Sequence, residues 1–390
     1  MAKKKRVVLF SLITVTFSLF SNPASAAVKA GSPCPKVGKV SATASKTFTC
    51  IKSGKKFVWN KGIAVTKPAS STPAPSVSPA PQVEPLPAVP TSFADLVTNY
   101  KGISVAVWQD VRNRLKESAP ATQFEVLTGP KTSQPKEKPS VEALLSKASS
   151  LFSTFAQPKV TKVFYFNRDD VSWAQEQHGK LTNPKFRAQE LSDNCPSNSN
   201  CGAFGSSSAG VGAMFMGVHL QGLDPLEVFG GTEIHEFTHV VQYSFYSESV
   251  FNNPNKYLPG WFIEGQASAI QQAGGTSDYA DYLGSRRKWF SHSPKSVVKS
   301  YSAEEILNFF ELQGPGKFDQ GTWSHVYDIG SFATEALIAI GGLDSTFELI
   351  KHVSFGKSFD DAFLATYKIP WDEAKVIIAE AVSREYGDAR

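Results

Sequence analysis

The spacing of apolar residues divides the chain into strand-like and helix-like stretches. Residues 141–155 repeat apolar positions at helical intervals, whereas 160–166 and 212–218 have the composition of short strands. Beyond residue 224 the pattern becomes mainly helical. This order predicts an α+β domain, with a mixed β-sheet in its N-terminal part and a helical C-terminal part.

The first 26 residues have the three-part pattern of a secretory signal peptide. A basic start at 3–6 is followed by an apolar stretch at 7–20 and by Ala24-Ser25-Ala26, which supplies small residues for cleavage. The apolar stretch is short for a membrane span, although an uncleaved anchor is the alternative. We therefore expect a secreted protein with no transmembrane segment after signal cleavage.

Four cysteines form two local pairs in the sequence. Cys34 and Cys50 lie in a small module, residues 27–67, whose β-prone runs around Ser53-Gly54 predict a hairpin closed by a disulfide. Cys195 and Cys201 lie in a polar loop that a disulfide would hold together. Zinc binding by the cysteines is the alternative, but no CxxC spacing occurs.

Charge is unevenly distributed along the chain. Residues 1–67 contain 13 Lys or Arg and no Asp or Glu, which leaves residues 68–390 with a net charge of −8. The basic module could therefore bind an anionic cell-wall polymer and make the protein cell-wall associated, whereas a solvated stalk is the alternative.

A proline-rich linker separates this module from the rest of the chain. We assign it to residues 68–92, and eight prolines fall within its first 23 positions. In an extended polyproline conformation it could span roughly 70 Å. The main domain is then predicted to comprise residues 93–390.

The motif with the most specific chemistry is His235-Glu236-Phe237-Thr238-His239, an HExxH sequence. Histidines four positions apart lie on one face of a helix, so their imidazoles can bind one metal ion. Glu236 projects toward the same edge and can accept a proton from water. Apolar residues surround the histidines and predict a central, buried helix, with Thr232 as the capping residue at its start.

A third ligand is expected from a second helix. Glu264 follows His239 by 25 residues, in Trp261-Phe262-Ile263-Glu264-Gly265, and this helix is predicted to end at Gly274-Gly275. Gly265 has no side chain, which we expect to allow the second helix close to the first. Two imidazoles and one carboxylate leave a fourth position for water, the arrangement of a catalytic zinc site with one Zn²⁺ per chain.

These two motifs resemble those of the gluzincin metallopeptidases, the group that contains thermolysin and the alanyl aminopeptidases. The resemblance covers about residues 155–385 and implies that His235, His239 and Glu264 bind zinc and that Glu236 is the catalytic base. Tyr327, in Tyr327-Asp328-Ile329-Gly330, is similar to the tyrosine that stabilises the oxyanion in the aminopeptidases. His325 is the alternative, because a histidine has this role in thermolysin-like enzymes.

One segment departs from the aminopeptidase pattern. Those enzymes have a carboxylate that binds the substrate's free amine, but the nearest segment here, Gly212-Ala213-Met214-Phe215-Met216, has none. This favours an endopeptidase over an aminopeptidase. The strand could still pair with the backbone of a substrate at a sheet edge.

We therefore predict a secreted zinc metallopeptidase that acts on a peptide or protein substrate, with no nucleic-acid partner. The alternative is an inactive or non-peptidase member of the family that serves as a cell-wall-binding or adhesive protein. A metallohydrolase that acts on other bonds is a third interpretation of the same motif.

Overall fold

The computed structural model describes residues 28–43, 46–64, 85–134, 140–181, 191, 195, 201–208, 210–218, 231–292 and 298–389. The chain forms two compact units, which divide between Val83 and Glu84. The predicted signal peptide and most of the predicted linker lie outside the described residues. The last part of that linker packs on the second unit, because Pro90 is buried and the backbone of Ala88 contacts Gly102.

The first unit is a small antiparallel sheet. Its strands are β1 (Val40–Ala42), β2 (Lys46–Ser53), β3 (Lys56–Trp59) and β4 (Ile63–Ala64), and β2 and β3 form the predicted hairpin. The predicted disulfide between Cys34 and Cys50 is present. It packs with Phe48 and Trp59 in a core of four buried residues.

The second unit contains a mixed four-stranded sheet. Its strands are β5 (Gln123–Thr128), β6 (Val160–Phe166), β7 (Phe204–Ser208) and β8 (Val211–Gly217). The spatial order is β5-β6-β8-β7, in which β5, β6 and β8 are parallel and β7 is antiparallel to β8. Strand β7 is therefore an edge strand among the described residues, directly beside β8.

Alternating side chains of the two central strands bury both faces of this sheet. Val163 and Tyr165 of β6 belong to the main core, whereas Phe164 and Phe166 belong to a smaller core on the other face. The N-terminal helices are α1 (Phe93–Leu96), α2 (Ile103–Glu117), α3 (Val141–Leu151) and α4 (Val171–Lys180). Helix α4 contributes to the smaller core, and α2 and α3 contribute to the main one.

Among the described residues after β8, only helices occur, as the apolar pattern predicts. They are α5 (Thr232–Phe245), α6 (Glu248–Asn252), α7 (Pro254–Tyr257), α8 (Gly260–Gly275), α9 (Tyr279–His292), α10 (Ala303–Leu312), α11 (His325–Ser354), α12 (Phe359–Tyr367) and α13 (Trp371–Ala389). Helix α11 bends at Gly342, whose φ is 72°. It is also long and apolar enough to cross a membrane, but most of it is buried in the core.

The α+β class, the mixed sheet and the helical C-terminal part are thus confirmed. Two helix boundaries differ from the sequence prediction. Helix α3 ends at Leu151 rather than at 155, because the Gln157 side chain donates hydrogen bonds to the carbonyl oxygens of Ser149 and Phe152. Helix α5 begins at Thr232, so the capping residue is Gly231, with φ 77°, rather than Thr232.

Candidate metal centre

Helices α5 and α8 bring the predicted metal ligands together. His235 and His239 lie one turn apart on α5, and Glu264 lies in the first half of α8, as predicted. Both imidazoles are buried, and the Glu264 side chain is 19% exposed. One donor atom from each of the three residues lies within 4.8 Å of the other two, so the group could hold a metal ion.

The distances among the donor atoms fit one tetrahedral ion. The two Nε2 atoms of the histidines are 3.2 Å apart, and they lie 3.4 Å (His235) and 3.3 Å (His239) from Oε2 of Glu264. Ligands bound about 2.0–2.1 Å from one zinc ion in tetrahedral geometry are separated by roughly 3.3 Å. The three residues therefore occupy three corners of such a site without rearrangement.

Two glutamine amides orient the imidazoles. Nδ1 of His239 lies 2.8 Å from Oε1 of Gln242, and Nδ1 of His235 lies 3.1 Å from Oε1 of Gln271. The Gln242 amide has a fixed orientation because its nitrogen donates to the Ile263 carbonyl and to Gln266. Since an amide oxygen only accepts, Nδ1 carries the proton and the Nε2 lone pair faces the centre.

Charge in the site is concentrated on Glu264. Burial alone would raise the pKa of Glu264, but the two histidines hold it well below its usual range through charge and hydrogen bonds. Burial alone would likewise lower the pKa of His239, yet the Glu264 carboxylate raises it to about 9. A carboxylate that raises the pKa of a neighbouring imidazole this far also favours a bound cation in the same place.

Glu236 lies beside the three ligands with one oxygen free. Burial raises the pKa of the Glu236 carboxyl, while the neighbouring histidines and a hydrogen bond from the Gly205 backbone N–H oppose this shift. Its Oε2 atom has no hydrogen-bond partner among the described residues. Strand β7 lies directly against this part of α5, because a Cβ on Gly205 would sit 1.9 Å from the Glu236 carbonyl oxygen.

The site opens into a pocket of about 330 Å³. Tyr327 of α11 lines this pocket, with its ring centroid 6.1 Å from that of His235. Burial raises the pKa of Tyr327 well above its usual value, and the carboxylates of Glu264 and Glu236 raise it further. The phenol therefore stays protonated near neutral pH and can donate a hydrogen bond.

His325, the alternative to Tyr327, does not line this pocket. Its side chain is fully buried, Nδ1 lies 3.2 Å from Oδ1 of Asp328, and its ring packs edge-on against Tyr301. The structure thus places Tyr327, and not His325, beside the three candidate metal ligands. The role of Tyr327 in stabilising an oxyanion stays a prediction.

Two sequence-based expectations about this region are wrong. Strand β8, which contains 212–216, cannot pair with a substrate because β6 and β7 already occupy both of its edges. Gly265 brings α8 close to α11 rather than to α5, since a Cβ there would lie 2.3 Å from the backbone of Gly330. Pattern and spacing predicted the strand and the helix but could not identify their neighbours.

Sequence reasoning also missed the residues that support the ligands. Gln242 follows His239 by three positions and Gln271 follows Glu264 by seven, so each shares a helix face with a ligand, and this spacing could have identified both. Gly205, which also lines the pocket, gave no comparable signal because it comes from another element, β7.

The second predicted disulfide, between Cys195 and Cys201, is present as well. Together the two disulfides indicate an extracellular or secreted protein, since such bonds persist in oxidising compartments. No family model, curated protein or solved structure matches the chain. The resemblance to gluzincins therefore rests on the sequence motifs around His235, Glu264 and Tyr327 alone.

Proposed function

We propose that the second unit is a zinc-dependent peptidase with one zinc ion bound by His235, His239 and Glu264. The observation that carries this proposal is the separation of 3.2–3.4 Å among two imidazole nitrogens and one carboxylate oxygen. Glutamine amides already orient both imidazoles. Two imidazoles and one carboxylate favour zinc over calcium or magnesium, which prefer oxygen ligands.

The proposed chemistry is hydrolysis of a peptide bond by water. A zinc ion in this site would polarise the carbonyl group and acidify the attacking water. The free oxygen of Glu236 accepts the proton of that water and later delivers it to the leaving amine. The Tyr327 hydroxyl donates a hydrogen bond to the oxygen that becomes negatively charged.

The free edge of β7 supports a peptide substrate. Gly205 of this strand lines the metal pocket, and β7 has a paired neighbour, β8, on one side only among the described residues. An extended peptide can add to such an edge through main-chain hydrogen bonds. Because β7 continues from Gly205 to Ser208, a peptide paired along it has several residues on one side of the metal pocket, which favours an endopeptidase over an aminopeptidase.

Metal analysis and hydrolysis of a peptide library test the proposal together. Purified protein is expected to contain about one zinc ion per chain, and Glu236→Gln should retain it while hydrolysis falls by about 10²-fold to 10⁴-fold. Tyr327→Phe should lower kcat and leave zinc content unchanged. Folded, zinc-loaded protein that cleaves no peptide in the library would overturn the proposal.

For the first unit we propose binding to an anionic cell-wall polymer. Its described residues, 28–43 and 46–64, contain eight lysines and no acidic residue, and all eight lysines are exposed. None of them forms a salt bridge within that part of the chain. Sedimentation with isolated cell wall should decrease when residues 27–67 are deleted; equal sedimentation of both forms would exclude this role.

A further inference from the structure

A second cavity adjoins the metal pocket. It has a volume of about 350 Å³ and shares Tyr243, Tyr246 and Asn252 with the metal pocket as lining residues. Strand β7 runs past both, since Gly205 lines the metal pocket and Ser207 lines the second cavity. The two spaces therefore lie next to each other along β7, which has no paired strand on its other side among the described residues.

The geometry of β7 fixes which part of a bound peptide reaches this cavity. From Gly205 to Ser208 the strand advances about 10 Å, or three residues. A peptide that pairs antiparallel to β7, the commoner and more stable arrangement, runs from the cavity toward the metal ligands. The cavity then holds a side chain about two to four positions N-terminal to the cleaved bond.

The lining of the cavity selects a cationic side chain. Glu248 is its one charged residue, and it has no salt-bridge partner in the described part of the chain. Tyr243 and Phe251 supply aromatic surface for an aliphatic stem. Tyr246 also lines the cavity, and its hydroxyl is buried without a hydrogen-bond partner among the described residues.

We propose, on the basis of the peptidase function proposed above, that this cavity binds a Lys or Arg side chain of an extended peptide substrate. The stem packs against the two aromatic rings and the cationic group lies next to the carboxylate of Glu248. The substrate class is therefore a cationic peptide or protein segment cleaved internally.

Paired peptides of about ten residues test this inference directly. At each position N-terminal to the cleaved bond, Lys is compared with Gln, and kcat/KM should rise for Lys at one position two to four residues away. Glu248→Gln should reduce that preference about threefold to tenfold, and Glu248→Lys should reverse it. Glu142→Gln is the matched control, because Glu142 is an exposed residue in the first turn of another helix, α3.

A blocking variant gives a second readout. Ala156 is exposed and lines the cavity, so Ala156→Trp should lower kcat/KM for the long Lys peptide but not for a peptide shortened to end before the cavity. Thr154→Trp is the matched control, because it places the same ring at an exposed site on the same loop, outside the residues that line the cavity.

The outcomes separate the two proposals. Cleavage with no preference for Lys or Arg at any of these positions, or with a preference that Glu248→Gln leaves unchanged, overturns the inference and leaves the peptidase function intact. If zinc-loaded protein cleaves neither the Lys peptides nor the Gln peptides, both the peptidase function and the role of the cavity are excluded.

Discussion

At the scale of single residues, the candidate metal centre depends on an electrostatic balance among closely spaced groups. The Glu264 side chain, which is 19% exposed, lies beside two buried imidazoles whose Nε2 atoms face the same point. Such a group requires a positive charge between its members, either a proton or a metal ion. The raised pKa of His239, about 9, reflects the proton in this position. Metal and proton therefore compete for one place.

The glutamine amides are expected to determine how firmly the metal is held. Gln271→Met removes the acceptor for Nδ1 of His235, which frees the ring to rotate and change tautomer. Zinc affinity should fall about 10-fold to 100-fold, measured by competition with a fluorescent chelator. Gln272→Met is the matched control, because this neighbouring side chain donates to Ser331 instead. Equal affinities of both variants would show that the amide of Gln271 has no orienting role.

The proximity of the three candidate ligands could be predicted from the sequence, because the spacing of the two histidines places them on one helix face. His235 and His239 are four positions apart, and Glu264 lies in a helix whose end at Gly275 is marked by glycine. The choice between Tyr327 and His325 could not be made this way. The two residues are two positions apart on α11, so they point in different directions, and only the packing of α11 decides which one faces the pocket.

At the scale of elements, a contact between two glycines positions α11 against α8. A Cβ on Gly330 would lie 2.4 Å from the Trp261 carbonyl oxygen, and a Cβ on Gly265 would lie 2.3 Å from the Gly330 backbone. Helices without side chains at their crossing point approach closely. Because Glu264 and Tyr327 lie on these two helices, the glycine contact determines the distance between them.

Gly330→Ala is expected to affect both stability and the site. The added methyl group forces α8 and α11 apart, which should lower the free energy of unfolding by about 2–3 kcal/mol and weaken zinc binding. Chemical denaturation and zinc titration measure the two effects. Gly284→Ala, within α9, has open space around the new methyl group and should instead raise the free energy of unfolding by about 0.5–1 kcal/mol. A Gly330→Ala protein as stable as wild type would contradict the proposed role of this contact.

A buried charge cluster connects α9, α11 and α13. Arg286 of α9 lies 2.6 Å from Glu335 of α11 and 2.9 Å from Glu385 of α13. One cation thus faces two buried carboxylates. Burial and the charge of Glu335 raise the pKa of Glu385 to about 7, although Arg286 opposes this shift.

The cluster makes stability depend on pH. Between about 4.5, the usual pKa of a glutamate, and about 7, folded Glu385 binds a proton that the unfolded chain releases, so stability is highest below this window and decreases as pH rises through it. Glu385→Gln removes this dependence. In metal-free protein, the free energy of unfolding of the variant should rise relative to that of wild type by up to about 3 kcal/mol between pH 4.5 and pH 8. Denaturation at each pH measures this difference. If the free energies of unfolding of Glu385→Gln and wild type differed by a constant amount across this pH range, a raised pKa of Glu385 would be excluded.

At the scale of the whole molecule, local patterns predicted more than long-range packing. The α+β class, the hairpin of the first unit and both disulfides follow from features close together in sequence. The order of strands in the sheet does not, because β7 is mostly serine and glycine, without the apolar run that identifies β8, and only its pairing with β8 makes it the edge. The position of β7 beside the metal pocket therefore could not be predicted, because the sequence pattern did not identify this strand.

The two units should unfold independently, because each has its own core. The core of the first unit consists of Cys34, Cys50, Phe48 and Trp59, so half of its buried residues belong to the disulfide. Closing a loop of 16 residues contributes about 3 kcal/mol, which is a large share of the stability of so small a core. Replacing both Cys34 and Cys50 with Ser is therefore expected to unfold residues 28–64.

The second unit should be unaffected by that replacement, since its two cores contain no residue of the first unit. Amide hydrogen exchange read by mass spectrometry should show lost protection in β2 and β3 only, with unchanged zinc affinity and unfolding temperature for the second unit. The disulfide between Cys195 and Cys201 belongs to the second unit and closes a loop of only six residues beside the smaller core. Its removal is the comparison for removal of the Cys34–Cys50 disulfide. Loss of zinc binding in the Cys34→Ser, Cys50→Ser protein would mean that the metal centre depends on the first unit, contrary to the division at Val83.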